Sequence, residues 1–554
     1  MARPAASARP PRSAVAAAAP AGPPPIEVPL TPARWSLEPV RALAVPLAFV
    51  ALLLAIGALS PVRERPALWG SFLGAGALLV AWAAGLAWRG RGRRRLVLEV
   101  VLRKQHYLQA CAHLSIFAYW GWYWREVYDS AHLIVAQLAF AYAFDMLLSW
   151  SRRDDYTLGF GPFPIIFSTN LFLWFKPDWF YFQFLMVAVG FAAKELIRWK
   201  KDGRLVHVFN PSSFPLFLAS LVLILTGTTS ITWGQEIAFT FERPPYIRLW
   251  IFLAGLPGQF LFGVVSMTLS AVATVFGFGL LYHLVFGTYY FIDGFIPAAV
   301  FLGMHLLFTD PSTSPRSEQG RIIFGMLYGL AVIGLYSLLG LFGAPTFYDK
   351  LLAVPALNLL VQFIDRTVAS GALRALDPAR LGPALQGRKR NLAYMAVWGL
   401  VFLAMSDPLA AYRPRRWVPL WQQYCMEDRR NGCLILSRIE ARYCNDGSGW
   451  ACNELGLLEM TGRAPPTLGP RAFQLACARG FKAGCENVAQ AQRPAGTLPQ
   501  WQQAPPGLAD YPILLQEGQG RVEGLTEREL FEAACRQGWA DGCARAATAP
   551  PPTR

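Results

Sequence analysis

The sequence predicts an all-α polytopic membrane protein of about thirteen transmembrane helices, followed by a helical solenoid outside the membrane. The 554 residues are 54% hydrophobic and only 16% charged, whereas about a quarter of a soluble domain is charged. Apolar runs of about twenty residues recur, which is the length that crosses the hydrocarbon core. Runs this long and uniformly apolar indicate helices rather than barrel strands, because a backbone in lipid must satisfy its own hydrogen bonds.

The N-terminal 40 residues are rich in Ala, Pro and Arg and have almost no aromatic residues. This composition predicts a disordered cytoplasmic tail at residues 1–40. No apolar stretch follows the first residues directly, so we expect an uncleaved first span rather than a signal peptide. Two additional spans and a basic loop follow at 41–100, then a transmembrane core at 101–370, and a basic loop with the last span at 371–410.

The predicted spans alternate with loops of unequal charge. Five loops are rich in Lys and Arg, and with these thirteen spans all five fall on one side, which the positive-inside bias assigns to the cytoplasm. In a bacterium the chain would then lie in the inner membrane with a periplasmic C-terminal domain at 411–554. The loops are 89–104, 150–157, 198–211, 309–321 and 365–391. The spans lie near 41–60, 68–88, 106–124, 131–149, 158–175, 180–197, 212–232, 248–266, 268–287, 294–308, 322–342, 348–364 and 392–407.

The net charge of +16 does not indicate a nucleic-acid partner. The basic residues lie in short loops between spans, where the positive-inside bias places them. The partner that the composition predicts is the lipid bilayer.

Eight of the nine cysteines lie beyond residue 420, in four pairs whose members are eight residues apart. A helix, a short turn and a second helix would bring each pair together, and a disulfide there would stabilise the fold by about 2–3 kcal/mol. Paired cysteines indicate an oxidising compartment. Zinc is the alternative, although the segment has no histidine and no CxxC. The pairs are Cys425 and Cys433, Cys444 and Cys452, Cys477 and Cys485, and Cys535 and Cys543.

Two of these pairs lie in near-repeats, "QLACARGFKAGC" and "EAACRQGWADGC". The repeats resemble the cysteine-rich Sel1-like helical hairpins over residues 420–547, with a Pro/Gln-rich insertion near 490–520. The resemblance implies a periplasmic α-solenoid that binds partners rather than catalyses. The expected partners are other membrane or periplasmic protein subunits.

Two polar segments interrupt the apolar core, "HVFNPSSFPL" at 207–216 and "TDPSTSP" at 309–315. Asn-Pro and Asp-Pro dipeptides start turns, and Pro211 and Pro311 suit the first turn of a helix. A helix that begins there would direct unpaired N–H groups at an anion or a polar ring edge. Simple helix caps are the alternative.

The two segments follow one another along the chain as in the RnfD/NqrB family of membrane electron-transport subunits, which residues 100–370 resemble. That resemblance implies a membrane subunit that carries flavin and passes electrons within the membrane. The final core span, "NLLVQFIDR", also looks like that family's. The matching residues are Phe209, Asn210, Pro211, Thr309, Asp310, Pro311, Thr313, Gly320, Arg321, Phe324, Gly325, Asp365 and Arg366.

One family motif is not matched. The family attaches FMN to a Thr of an SGAT-like motif, whereas the corresponding loop here reads "TGTTSITWGQEIAFTFERPP", with Thr228 and Thr229 near the expected place. In this the chain resembles the UnbU-like variant that lacks the motif. We therefore expect a non-covalent flavin, FMN or riboflavin, with Arg321 pairing a phosphate or carboxylate. The expected cofactor-binding residues are Asn210, Ser212, Thr309, Asp310, Thr313, Arg321, Thr228 and Thr229.

Haem is not expected, because paired intramembrane histidines on two facing spans are not evident. No residue is assigned as catalytic and no metal site is predicted. Two functions remain. One is a membrane electron-transport subunit, and the other is a non-catalytic scaffold or permease-like protein whose periplasmic repeats recruit a partner.

Overall fold

The computed structural model describes residues 33–90, 94–201, 203–292, 294–370, 387–405, 418–494, 497–515, 522 and 524–549. The chain is mostly helical over these ranges. Six helices in them are long and apolar enough to cross a membrane, which confirms the membrane class. They are Pro39–Gly57, Pro66–Gly90, Ala131–Arg152, Val265–Phe286, Glu318–Leu341 and Thr346–Ala369.

The other predicted spans fall on helices that are shorter or less apolar, so thirteen crossings are not confirmed. Pro162–Asn170 has 9 residues and rises only about 14 Å, about half of the hydrocarbon thickness. Three apolar helices are of intermediate length: Ser213–Leu225, Ile247–Phe262 and Ala298–Leu307. The remaining predicted spans correspond to Lys104–Tyr123, Tyr181–Leu196 and Arg388–Met405. Short helices Ser60–Arg63, Glu126–Asp129 and Gly234–Thr240 lie between the longer ones.

Five short strands correct the all-α prediction. Strand β1 (Ala33–Leu37) pairs antiparallel with β2 (Leu96–Val100), which pairs parallel with β3 (Asp155–Leu158). Strands β4 (Arg198–Lys201) and β5 (Arg204–His207) form an antiparallel hairpin. Residues 33–40 are therefore structured, in contrast to the predicted tail, because β2 supplies backbone partners for Ala33–Leu37 and a helix begins at Pro39. Residues 1–32 of that tail, and residues 371–386 and 406–417, lie outside the described ranges.

The basic loops contact one another at one end of the helix bundle. Each contact joins two loops that are distant in sequence, so the described residues of the five loops are connected to one another. Val97 in β2 pairs with Asp155 in β3. Arg153 and Arg198 form ion pairs with the Glu195 carboxylate, at 2.7 and 2.5 Å. Lys201 Nζ donates a hydrogen bond to the Ser314 carbonyl at 2.7 Å, and the backbone N–H of Arg316 donates to Asp365 Oδ1 at 3.2 Å.

The helices Val265–Phe286 and Glu318–Leu341 pack closely along their length through two glycines. A Cβ on Gly325 would lie 2.2 Å from the Met267 carbonyl oxygen, and one on Gly329 would lie 3.1 Å from the Ala271 carbonyl oxygen. Small residues four positions apart let two membrane helices approach at the backbone. The "GRIIFGMLYGL" text therefore has a packing role in this chain.

The C-terminal helices are joined in consecutive pairs by four disulfides, as the spacing predicts. The paired Cα atoms are 4.4–4.6 Å apart, so these eight cysteines do not form a zinc site. The disulfides are Cys425–Cys433, Cys444–Cys452, Cys477–Cys485 and Cys535–Cys543. The helices are Val418–Met426, Gly432–Asn445, Gly449–Met460, Pro470–Ala478, Lys482–Ala491, Tyr511–Leu514, Glu527–Arg536 and Ala540–Thr548. We call residues 418–549 the hairpin domain.

The hairpin domain contacts the end of the bundle that is opposite to the basic loops. Arg429 donates a hydrogen bond to the Gly287 carbonyl, just past the end of helix Val265–Phe286. Arg430 lies over the Phe286 ring at 4.4 Å. The start of the same helix contacts the basic end, where Arg321 donates to the Gly263 carbonyl. A 22-residue helix is about 33 Å long, so the two ends are well separated.

Candidate functional site

The two polar segments, distant in sequence, are held together by hydrogen bonds from Asn210 and Asn358, in addition to the contact of His207 with Asp310. Asn210 Nδ2 donates to the Leu307 carbonyl at 2.8 Å, and its backbone N–H donates to Asn358 Oδ1 at 3.1 Å. Asn358 Nδ2 in turn donates to the Thr313 carbonyl at 3.0 Å. We call this arrangement of residues 207–213, 307–315 and Asn358 the junction. It is the strongest candidate for a functional site in the core.

Asn210 also builds the start of the helix that follows it. Its Oδ1 accepts from Ser212 N at 2.9 Å, Ser212 Oγ at 2.8 Å and Ser213 N at 3.1 Å. The N–H groups of a helix start need such partners. The side chains of Asn210 and Ser212 are thus engaged by the protein itself, as in the helix-cap alternative.

Asp310 carries the charge of the junction. Its Oδ2 lies 3.3 Å from His207 Nε2, and its Oδ1 accepts from Ser312 N at 2.9 Å. Burial acts to raise the pKa of Asp310, but the hydrogen bonds and charge from His207 and Ser312 outweigh burial and lower it below its usual value. The junction therefore favours an ionised carboxylate at Asp310.

Thr309 and Thr313 face inward and bond to nearby backbone. Thr309 Oγ1 donates to the His305 carbonyl at 2.9 Å, one turn back. Thr313 N donates to the Asp310 carbonyl at 3.3 Å and closes the turn. Both threonines are buried. They shape the second polar segment rather than leave hydroxyls free in solvent.

Arg321 binds backbone oxygens. Its Nη1 donates to the Gly263 carbonyl at 2.6 Å and its Nε donates to the Pro315 carbonyl at 3.2 Å. The guanidinium thus ties the second polar segment to the residues just before helix Val265–Phe286. If Arg321 also pairs with a phosphate or carboxylate, as predicted, it must do so with the N–H groups that do not bind these two carbonyls.

Thr228 and Thr229 lie apart from the junction. They follow the far end of helix Ser213–Leu225, whose 13 residues separate them from Asn210 by about 20 Å. Thr228 is exposed, and its Oγ1 is 2.7 Å from Thr226 Oγ1. The structure therefore does not bring these threonines together with the other predicted site residues.

Two buried polar side chains near the junction were not among the predicted cofactor-binding residues. His305 Nε2 and both ends of the Gln259 amide have no hydrogen-bond partner among the described residues, although each residue is at most 2% exposed. The helix that carries Gln259 packs against His305 one turn earlier, because a Cβ on Gly255 would lie 3.1 Å from His305 Cδ2. An unpaired buried polar atom is costly and calls for an explanation.

His305 lies in a π-helical turn, Gly303–Leu307, a feature that occurs frequently at functional sites. Its Nδ1 is 2.7 Å from the Phe301 carbonyl oxygen. Its ring centre is 4.2 Å from that of Phe301 and 5.6 Å from that of Trp398. An aromatic wall thus stands beside the unpaired Nε2. A polar residue inside an apolar run is the sequence signal that would have identified His305, Gln259 and Asn358.

Within the described ranges, no group of three or more His, Cys, Asp or Glu side chains is placed to hold a metal ion. In comparisons with known proteins, the chain matches no protein-family model, no curated protein and no solved structure at a significant level.

Proposed function

We propose that this chain is a membrane-embedded electron-transport subunit of the RnfD/NqrB type, which binds FMN or riboflavin non-covalently and passes electrons within or across the membrane. The observation that supports the proposal is the junction. The two segments that carry the resemblance are in direct contact, and two unpaired polar side chains are buried beside them.

In this proposal the unpaired polar groups bind the polar edge of a flavin ring. His305 Nε2 and the Gln259 amide would hydrogen-bond the ring's nitrogen and oxygen atoms, and Phe301 and Trp398 would supply an apolar wall. When bound, a flavin can take up and release one or two electrons. Asn210 and Arg321 hold the backbone that positions His305, through the Leu307 and Pro315 carbonyls. Non-covalent binding is favoured because Thr228 and Thr229 are distant from this site.

The flavin proposal is tested on the full-length protein purified in mild detergent. We expect a flavin absorbance spectrum and release of FMN or riboflavin on denaturation. H305L and Q259L should lose the flavin, whereas H283L should keep it, because His283 lies near the end of helix Val265–Phe286 that contacts the hairpin domain. Purified protein without flavin would contradict the proposal.

The hairpin domain favours a second candidate function. In that function the core is a non-catalytic scaffold or permease-like protein, and the hairpin domain recruits a protein partner. The observation in its favour is the contact between Arg429 and Gly287, because it holds the domain at the end of the bundle opposite to the junction.

For either function we propose a bacterial inner-membrane location, with the basic end in the cytoplasm and the hairpin domain in the periplasm. The contacts among the basic loops and the disulfides support this orientation. Deletion of residues 418–549 should abolish partner capture and leave the absorbance spectrum unchanged.

A further inference from the structure

The hairpin domain contains a cleft of about 820 Å³. Its walls come from the first three helices of the domain, from the extended residues 501–506 and from the last hairpin. Three tryptophans line it, Trp450, Trp501 and Trp539. Trp450 and Trp539 meet edge to face with ring centres 5.2 Å apart, so the last hairpin closes one side of the cleft.

A buried carboxylate without a partner lies in the wall of this cleft. Glu440 lines it and is 1% exposed. Neither carboxylate oxygen has a hydrogen-bond partner among the described residues. Burial, and the nearby Glu454, raise the pKa of Glu440 well above its usual value. A buried, unpaired carboxyl is unfavourable for folding, which makes a role in binding the better explanation for its presence.

The other charged groups of the cleft leave it negative when its carboxyls are ionised. Glu454 is buried and has only weak amide partners, Asn453 and Gln503, each at 3.4 Å. Asp541 accepts a hydrogen bond from the Tyr511 hydroxyl. Three carboxylates thus stand against one cation among the lining residues, Arg463, and Arg463 already donates to the Cys425 carbonyl at 3.3 Å.

The same face of the domain already holds an extended segment of this chain by its backbone. Asn453 and Asn487 both donate to the Gln502 carbonyl, at 3.2 and 2.8 Å, and Asn487 Oδ1 accepts from Gln502 N at 2.7 Å. Trp501 stacks on Phe473 with ring centres 5.2 Å apart. Side-chain amides that hydrogen-bond a backbone in this way can bind an extended polypeptide. The cleft lies next to this segment, because residues 501–506 form part of its wall.

We propose that this cleft binds a basic side chain, lysine or arginine, that is presented by an extended segment of a partner protein. The carboxylate of Glu440 would pair with the cation. The tryptophan rings would cover the alkyl stem and attract the charge through their faces. Because the Glu440 oxygens are almost fully covered, the side chains that line the cleft must move aside for the cation to reach them. This inference names the ligand class for the partner-recruiting function and is independent of the flavin.

The probe is a labelled, capped peptide, Gly-Ala-Pro-Lys-Pro-Ala-Gly, titrated against the full-length protein in lipid nanodiscs by fluorescence anisotropy. We expect it to bind at least about tenfold more tightly than the same peptide with norleucine in place of lysine, the range of one charge-assisted hydrogen bond. E440Q should reduce the affinity about tenfold. E486Q, at an exposed glutamate outside the cleft, should leave it unchanged.

The affinity should also rise with pH, because the cleft carboxyls must lose their protons to pair with the cation. Burial raises the pKa of Glu454 to about 7 and raises that of Glu440 as well. The titratable groups that face one another there are Glu440, Glu454, Asp541 and Arg463. The wild-type complex should release protons, seen as a binding enthalpy that depends on the buffer, and E440Q should release fewer.

Equal binding of the lysine and norleucine peptides would overturn the inference, as would an E440Q protein with unchanged affinity. Free 1,5-diaminopentane that bound as tightly as the peptide would overturn the polypeptide part. A partner that is captured through residues 418–549 equally well by wild type and E440Q would contradict this site alone, and the recruiting function would stand.

Discussion

The side chain of Asn210 donates a hydrogen bond to the Leu307 carbonyl at 2.8 Å, between residues 97 positions apart. Through this bond the first polar segment holds the chain just before the second, and Asn358 closes the arrangement from a third helix. The junction is thus a cross-link among three parts of the membrane core, and any cofactor held by His305 depends on it for its position.

Replacing Asn210 by alanine should destabilise the core. The change removes acceptors for Ser212 and Ser213 and a donor for Leu307, all in buried surroundings, and each unpaired group costs about 1–3 kcal/mol. We expect a lower midpoint of thermal unfolding in detergent and faster proteolysis of the basic loops. Asn445→Ala, at an exposed asparagine, is the control and should change neither. An unaltered midpoint in N210A would show that the junction does not contribute to stability.

Gly325→Leu should disrupt the packing of helices Val265–Phe286 and Glu318–Leu341. Any Cβ at Gly325 meets the Met267 carbonyl oxygen at 2.2 Å, and backbone cannot move aside as a side chain can, so the cost should exceed the usual overpacking penalty of about 1–3 kcal/mol. Gly334→Leu, on the same helix, has no heavy atom within 4 Å of its Cβ position. We expect G325L to lower the yield of monodisperse protein and G334L to leave it near wild type.

Reduction should destabilise the hairpin domain selectively. Each disulfide closes a small loop and contributes about 2–3 kcal/mol, so dithiothreitol should lower the unfolding midpoint of this domain in the full chain. The double variant C477S/C485S should reproduce part of that shift. C111S is the control, because Cys111 is a free, exposed cysteine of the core. A zinc chelator should have no effect on any of these proteins.

The hairpin domain should become less stable as the pH rises. Burial raises the pKa of Glu454 from 4.5 to about 7, so the unfolded chain loses the proton at a lower pH than the folded one. The stability from this group is complete below about pH 4.5 and is lost as the pH rises through about 7, a change of roughly 3 kcal/mol. Glu440 acts in the same direction.

Unfolding midpoints measured between about pH 5 and about pH 8 test this dependence. E454Q should flatten the decline, and E486Q should not, because Glu486 is exposed. A wild-type domain that gained stability over this range would show that the two buried carboxyls are ionised in the folded state.

Much of the architecture follows from local features of the sequence. The pairing of Cys477 with Cys485 depends on eight residues that fold as a helix, a turn and a helix, so spacing alone predicts it. The helices of Pro66–Gly90 and Glu318–Leu341 follow from long apolar runs. The prediction of a disordered tail was wrong for Ala33–Leu37, because this strand forms by pairing with β2, which is distant in sequence. Span 158–175 was also not confirmed, since its helix covers only Pro162–Asn170.

The candidate site was predicted only in part. The two polar segments are conspicuous in the sequence, and the structure brings them together. Asn210 and Asp310, however, are paired within the junction, whereas unpaired buried atoms among the described residues belong to Ser314, His305 and Gln259. Whether a buried polar group finds a hydrogen-bond partner depends on which distant part of the chain packs against it. The residue type alone does not reveal that partner.

By itself the sequence determined the membrane class, the basic loops and the disulfide pairs, because composition and short separations govern all three. Only the tertiary structure decided that Arg321 binds backbone carbonyls, that Thr228 stands apart from the junction, and that Glu440 is buried without a partner. These outcomes depend on contacts between segments far apart in the chain, where the geometry of packing determines which polar groups find partners.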